Sequence, residues 1–150
     1  MLFRLLFLLL LWAVPAAAQD VVEVRKLYEH FAAAQNARDL AAVRQLLLGE
    51  PRFLWVSDGQ SFWGPDAVLS RMASFQKAEV WRVEPDLARA VAVPVREGVA
   101  YLHLPLVLVI GSAANPDRLH FLVSVLGVQT DRGWRIAALF TTTEKLVAGE

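Results

Sequence analysis

The sequence predicts an α+β domain in which N-terminal helices lie on one face of a long antiparallel sheet. Three observations carry that prediction. Apolar residues recur at helical spacing only upstream of Gln76. Two turn signals, Asp58-Gly59 and Asp131-Arg132-Gly133, each separate segments that alternate like paired strands. From Glu79 onward, long runs alternate at a period of two, so the later half of the chain reads as sheet.

The first residues read as a targeting segment. Arg4 supplies the positive start, residues 5–14 the apolar run, and Ala16-Ala17-Ala18 a small-residue cleavage site. Such a run rises ~1.5 Å per residue and covers about half of a ~30 Å hydrocarbon core, which favours cleavage over anchoring. The expected organisation is a signal peptide over residues 1–18 and one domain over residues 19–150, exported to a bacterial periplasm or secreted. The chain has no cysteine, which excludes a lipid anchor after the apolar run and any disulfide, so stability must come from packing. Without Arg4 the chain carries 14 basic and 15 acidic side chains. That balance leaves no electrostatic footprint for nucleic acid or for an anionic membrane surface.

Asp20 followed by Glu23 reads as a capping box for a first helix. Val24, Leu27, Tyr28, Phe31 and Ala34 form its apolar stripe. Asp39 is placed to cap a shorter helix with Leu40, Val43, Leu46 and Leu47 inward, stopped by Gly49 before Pro51. Residues 53–57 and 60–63 form a hairpin about Asp58-Gly59, which sets Trp55 opposite Phe62 and Leu54 opposite Trp63. Gly64-Pro65-Asp66 opens a third helix with Val68, Met72 and Phe75 as its stripe. Strands are expected over residues 79–84, 88–96, 99–110, 119–130 and 134–143, in an antiparallel meander. The last turn, closed by Gly133, sets Thr130 opposite Trp134. Leu102, Leu104, Leu106, Leu108 and Ile110 alternate with Tyr101, His103, Pro105, Val107 and Val109. Both series are apolar, so both sheet faces must be covered.

These segments resemble the NTF2-like superfamily in its SnoaL-like or DUF4440-like branch. The resemblance rests on Ala37-Arg38-Asp39-Leu40-Ala41-Ala42 at the start of the second helix. It rests also on residues 55–59 with Gly64-Pro65-Asp66-Ala67-Val68, and on Gly133-Trp134-Arg135-Ile136 followed by Thr141-Thr142-Thr143. It implies an NTF2-like cone, a bent antiparallel sheet wrapped around the N-terminal helices, a homodimer, and a cavity at the wide end. Relatives include isomerases, dehydratases, epoxide hydrolases, cyclases and proteins that only bind, so fold alone does not fix function.

Isomerase-type relatives need a carboxylate base aimed into an apolar cavity and a neutral donor facing it. The long strands over 99–110, 119–130 and 134–143 contain no Asp or Glu. Asp58 and Asp131 are explained by their turns. His103 and His120 fall roughly 20 Å apart along the expected ladder at ~3.3 Å per residue, too far to share a metal or a substrate atom. No nucleophile elbow, phosphate loop or metal-ligand spacing is present, so no catalytic residue, metal or cofactor is assigned.

The expected activity is binding of a small, largely apolar molecule. The expected lining is Tyr28, Trp55, Tyr101, His103, Ser124 and Phe140, with Ser124 as the hydrogen-bond partner of His103. The aliphatic face, Leu102, Leu104, Leu106 and Leu108 with Phe121, Val123, Val125 and Leu139, is expected to form the homodimer interface. The alternatives are a lyase- or isomerase-like enzyme using His103 with Tyr28 or Tyr101, and a dimeric interaction module whose cavity is filled.

Overall fold

The structure, a computed structural model, describes residues 16–49 and 51–145. Most of the expected signal peptide, residues 1–15, lies outside them. The elements follow in the order α1 (Ala16–Asn36), α2 (Leu40–Leu46), β1 (Leu54–Ser57), β2 (Gln60–Trp63), α3 (Gly64–Phe75), β3 (Val80–Pro85), β4 (Val91–Arg96), β5 (Val99–Gly111), β6 (Pro116–Thr130) and β7 (Gly133–Thr143). The seven strands form one bent sheet in the order β2-β1-β7-β6-β5-β3, with β4 also on β5.

Local chemistry explains most boundaries. The Asp39 carboxylate accepts a hydrogen bond from the Ala42 amide (2.9 Å) and starts α2, while Pro65 in its first turn suits α3. The β1–β2 hairpin has the expected register, Trp55 with Phe62 and Leu54 with Trp63. Asp20 differs from expectation. It sits within α1, is buried, and its Oδ2 accepts from the Gly98 amide at 3.0 Å. The carboxylate thus satisfies the β4–β5 turn rather than the start of its own helix.

Three pairings depart from a simple antiparallel meander. β1 runs parallel to β7, making the sheet mixed. β3 and β4 both run antiparallel to β5, on its C-terminal and N-terminal halves. Residues 86–90 are therefore a break in one long edge and not a reversal. Arg25 on α1 donates to the carbonyls of Leu87 and Ala90 (3.2 and 2.5 Å) and holds that break against the helix. Finally, Thr130 pairs with Gly133 instead of Trp134. An extra residue at Ala137 then restores the expected pairs Leu126–Ala138 and Ser124–Phe140. Such a bulge bends and twists the strand that carries it.

The bend wraps the sheet around α1. At Gly127 the helix approaches so closely that an added Cβ would lie 2.9 Å from Val24 Cγ2. Tyr28, Phe31, Leu102, Leu104 and Ile136 are almost wholly buried between these layers. Each contributes about 1.5–3 kcal/mol through removal from water.

The face assignment is the main correction. Leu102, Leu104, Leu106, Val123, Val125 and Leu139, expected at a dimer interface, face the helices and are buried. Tyr101, His103, Ser124 and Phe140 point the other way. The register aligns two rows across that outer face. One runs Trp63, Leu54, Ala138, Leu126, Tyr101, Val93; the next runs Val56, Phe140, Ser124, His103, Val91. Tyr101, Phe140, Val91 and Trp63 remain 42%, 44%, 55% and 63% exposed. The helices cover the inner face, whereas the outer face, which mixes aromatics with Ser124 and His103, stays partly open.

Candidate functional site

A cavity of about 530 Å³ lies between α1, α3 and the inner sheet face. Its wall is built by periodicity. Alternate residues of β5 supply Leu106, Leu108 and Ile110, and β6 supplies Phe121 and Val123. Tyr28 and Phe31 come from successive turns of α1, Met72 and Phe75 from α3, and Trp81 from β3. Phe75 and Trp81 stack with centroids 6.2 Å apart at 8°. Polar lining comes from Ser57 and Asp58 in the β1–β2 hairpin, Arg71 on α3, and Thr141, Thr143 and Glu144 at the end of β7.

Of the six residues expected to line a pocket, Tyr28 and Trp55 do so. Tyr101, His103, Ser124 and Phe140 are on the opposite face of the sheet, so the six are not brought together. The His103 Nδ1 to Ser124 Oγ contact is present at 2.9 Å, as a cross-strand pair on that outer face. His120 borders the cavity. It pairs with Val107 and His103 with Ser124, which puts the histidines four positions apart, ~13 Å along the ladder. Among the described residues no group of three potential metal ligands exists.

Burial drives the Tyr28 phenol well above its ordinary value near 10, with no charged neighbour offsetting it. It is a neutral donor in the cavity. His103 and Tyr101 cannot serve as its acid–base partners, because the sheet separates them. The Asp58 carboxylate is largely in solvent, unlike a base held in an apolar site. Trp55 Nε1 donates to Thr141 Oγ1 at 3.1 Å and fixes the indole as part of the wall.

Arg71 is the functional candidate that the strand-centred reading passes over. Its guanidinium carbon lies 5.7, 4.6 and 4.8 Å from the ring centroids of Trp55, Phe62 and Phe75. The sequence did hold a signal for it. Val68, Arg71, Met72 and Phe75 fall at i, i+3, i+4 and i+7, so an arginine interrupts an otherwise apolar helix stripe.

Comparison with known proteins agrees with this architecture. The SnoaL-like domain profile matches residues 24–139. An NTF2-like superfamily protein from Salmonella enterica superposes with a TM-score of 0.74 at 14% identity, covering 89% of this chain and 97% of that one. A provisionally named dehydratase of the NTF2-like family from Streptomyces avermitilis gives 0.74 at 16% identity, covering 86% and 99%. A function-unknown protein from Mycobacterium tuberculosis gives 0.74 at 17%, covering 87% and 80%. No curated protein matches the sequence. These identities speak for fold alone, and the profile match spans most of the chain: the protein belongs to the SnoaL-like domain family and carries the family's NTF2-like α+β cone.

Proposed function

We propose that this protein is an exported binding domain that holds a small, largely apolar molecule in the cavity between α1, α3 and the inner sheet face. The observation that carries the reading is the cavity itself: about 530 Å³, walled by aliphatic and aromatic side chains, with a small set of polar groups. That is the usual make-up of a small-molecule site. Burial at ~25 cal/mol per Å² supplies most of the affinity, and the polar groups set orientation. An enzyme built on His103 and Tyr28 draws no support from residues on opposite sheet faces. An interaction module with a filled cavity draws none from an open one.

The homodimer belongs to the same proposal, with its interface moved to the outer face. Two adjacent apolar rows in which Trp63, Tyr101, Phe140 and Val91 are exposed, interrupted by Ser124 and His103, give the mixed composition of a protein interface. Export rests on the Arg4, apolar run and Ala16–Ala18 order. Among the described residues no helix is long and apolar enough to cross a membrane.

Native mass spectrometry of the protein purified from its own host tests all three parts. The expected spectrum shows subunits beginning at Gln19, paired as dimers, each carrying a small-molecule adduct that activation releases. Subunits retaining residues 1–18 would refute export by cleavage, monomers at micromolar concentration would refute the interface, and adduct-free subunits that also fail to take up apolar probes would refute the binding function.

A further inference from the structure

We infer that the cavity takes an anionic amphipathic ligand, a hydrophobic monocarboxylic acid whose carboxylate docks on the Arg71 guanidinium; this rests on the binding reading above. The arginines of the chain differ in how their donors are used. Arg82, Arg89 and Arg118 each hydrogen-bond a carboxylate at 2.7 Å, and Arg44 bonds Asp66. Arg25 and Arg38 donate to backbone carbonyls. Arg71 makes no such bond among the described residues. Its ion-pair partner, Asp58 Oδ2, is 3.9 Å away, beyond hydrogen-bonding distance, and its Nε is a buried donor with no acceptor.

The imbalance between the two partners matters. The Arg71 side chain is 21% exposed and surrounded by aromatic rings, while that of Asp58 is 84% exposed. Asp58 also sits at φ +58 in the hairpin turn, so turn geometry sets its direction. A buried Nε–H with no acceptor, on a cation packed against aromatic rings, is costly unless an acceptor arrives. A carboxylate presented from the cavity takes two parallel N–H bonds, one from the unpartnered Nε and one from the adjacent outer nitrogen.

Neighbouring groups extend the anchor. Thr141 Oγ1 already accepts from Trp55 Nε1 (3.1 Å), which leaves the threonine proton to donate. Ser57 is its cross-strand partner and adds a second hydroxyl. The other cavity-lining arginine, Arg118, is spent on Glu84. Away from this end the wall is Leu106, Leu108 and Phe121, suited to a hydrocarbon tail.

The test titrates the mature protein with dodecanoate, below its micellar concentration, and with dodecanol, following binding by calorimetry. Wild type should bind the acid about tenfold or more tightly than the alcohol, as expected for a hydrogen bond to a charged group. Arg71→Gln should bring the acid down to the affinity of the alcohol and leave dodecanol unchanged, which also reports an intact cavity. Thr141→Val should reduce the preference in part. Equal affinities in wild type, or a preference that survives Arg71→Gln, would overturn the anchor while leaving the cavity reading in place. If neither probe binds, the cavity reading itself fails and the anchor with it. The wild-type comparison needs no variant to fold.

Discussion

Along β6, Phe121, Val123 and Val125 point at the helices, whereas Leu122, Ser124 and Leu126 point away from them. Both series are largely apolar, yet they meet different neighbours. The odd series packs under α1 and α3 and encloses the cavity. The even series joins Tyr101, His103 and Phe140 on an open face. The contrast teaches that hydrophobicity counts do not say which face of a two-sided sheet is inside.

Substitutions on the two faces should act differently, most strongly at Val123→Asp. Val123 is 3% exposed, on the cavity side, so the change buries an unpaired carboxylate at a cost of several kcal/mol. Circular dichroism should show loss of the folded state. A folded Val123→Asp protein that merely dissociates would return the aliphatic face to the interface.

Phe140→Asp should do the reverse. At 44% exposure, the subunit should lose no more than about 0.5–1 kcal/mol of its own stability, but the proposed dimer should come apart. Sedimentation velocity should then show monomers of unchanged secondary structure. A dimer that persists would place the interface elsewhere.

The alternation that made both faces visible in the sequence could not orient them, because the orientation depends on pairings distant along the chain. The Asp58-Gly59 hairpin, the Asp39 cap and the stripe of α3 were legible because each is fixed within a few residues. The parallel pairing of β1 with β7 joins residues more than eighty positions apart and leaves no local trace. The same holds for the joint edge made by β3 and β4. The bulge at Ala137 hid a one-residue slip at the turn by reversing it within the same hairpin. Tyr28 and Trp55 were legible as inward-facing residues because a helix stripe and a tight hairpin aim them at the cavity. Arg71 was legible only as an anomaly within a stripe.

The smallest effect sharpens the edge of the outer face. Hydrogen bonds from Arg82 and Arg118 hold the Glu84 carboxyl below its ordinary value. A depressed folded-state value stabilises above the usual carboxylate range and fades as pH falls through it. Glu84 is partly exposed, so solvent screening limits the gain to about 0.2–1 kcal/mol. Glu84→Gln should melt slightly earlier than wild type at pH 7, and the two should converge as pH falls through the lowered Glu84 value. A gap in melting temperature that stays constant across this range would mean that the ion pairs do not contribute through charge.

One calorimetric comparison tests directly where the ligand sits: dodecanol titrated into wild type, Leu108→Trp and Phe140→Asp. Leu108 lines the cavity and Phe140 the opposite face. The prediction is one bound molecule per subunit with unchanged affinity in wild type and in Phe140→Asp, and clearly weakened binding in a folded Leu108→Trp protein, whose indole takes up part of the cavity. Binding left unchanged by Leu108→Trp and lost in Phe140→Asp would put the ligand on the outer face and overturn the cavity assignment.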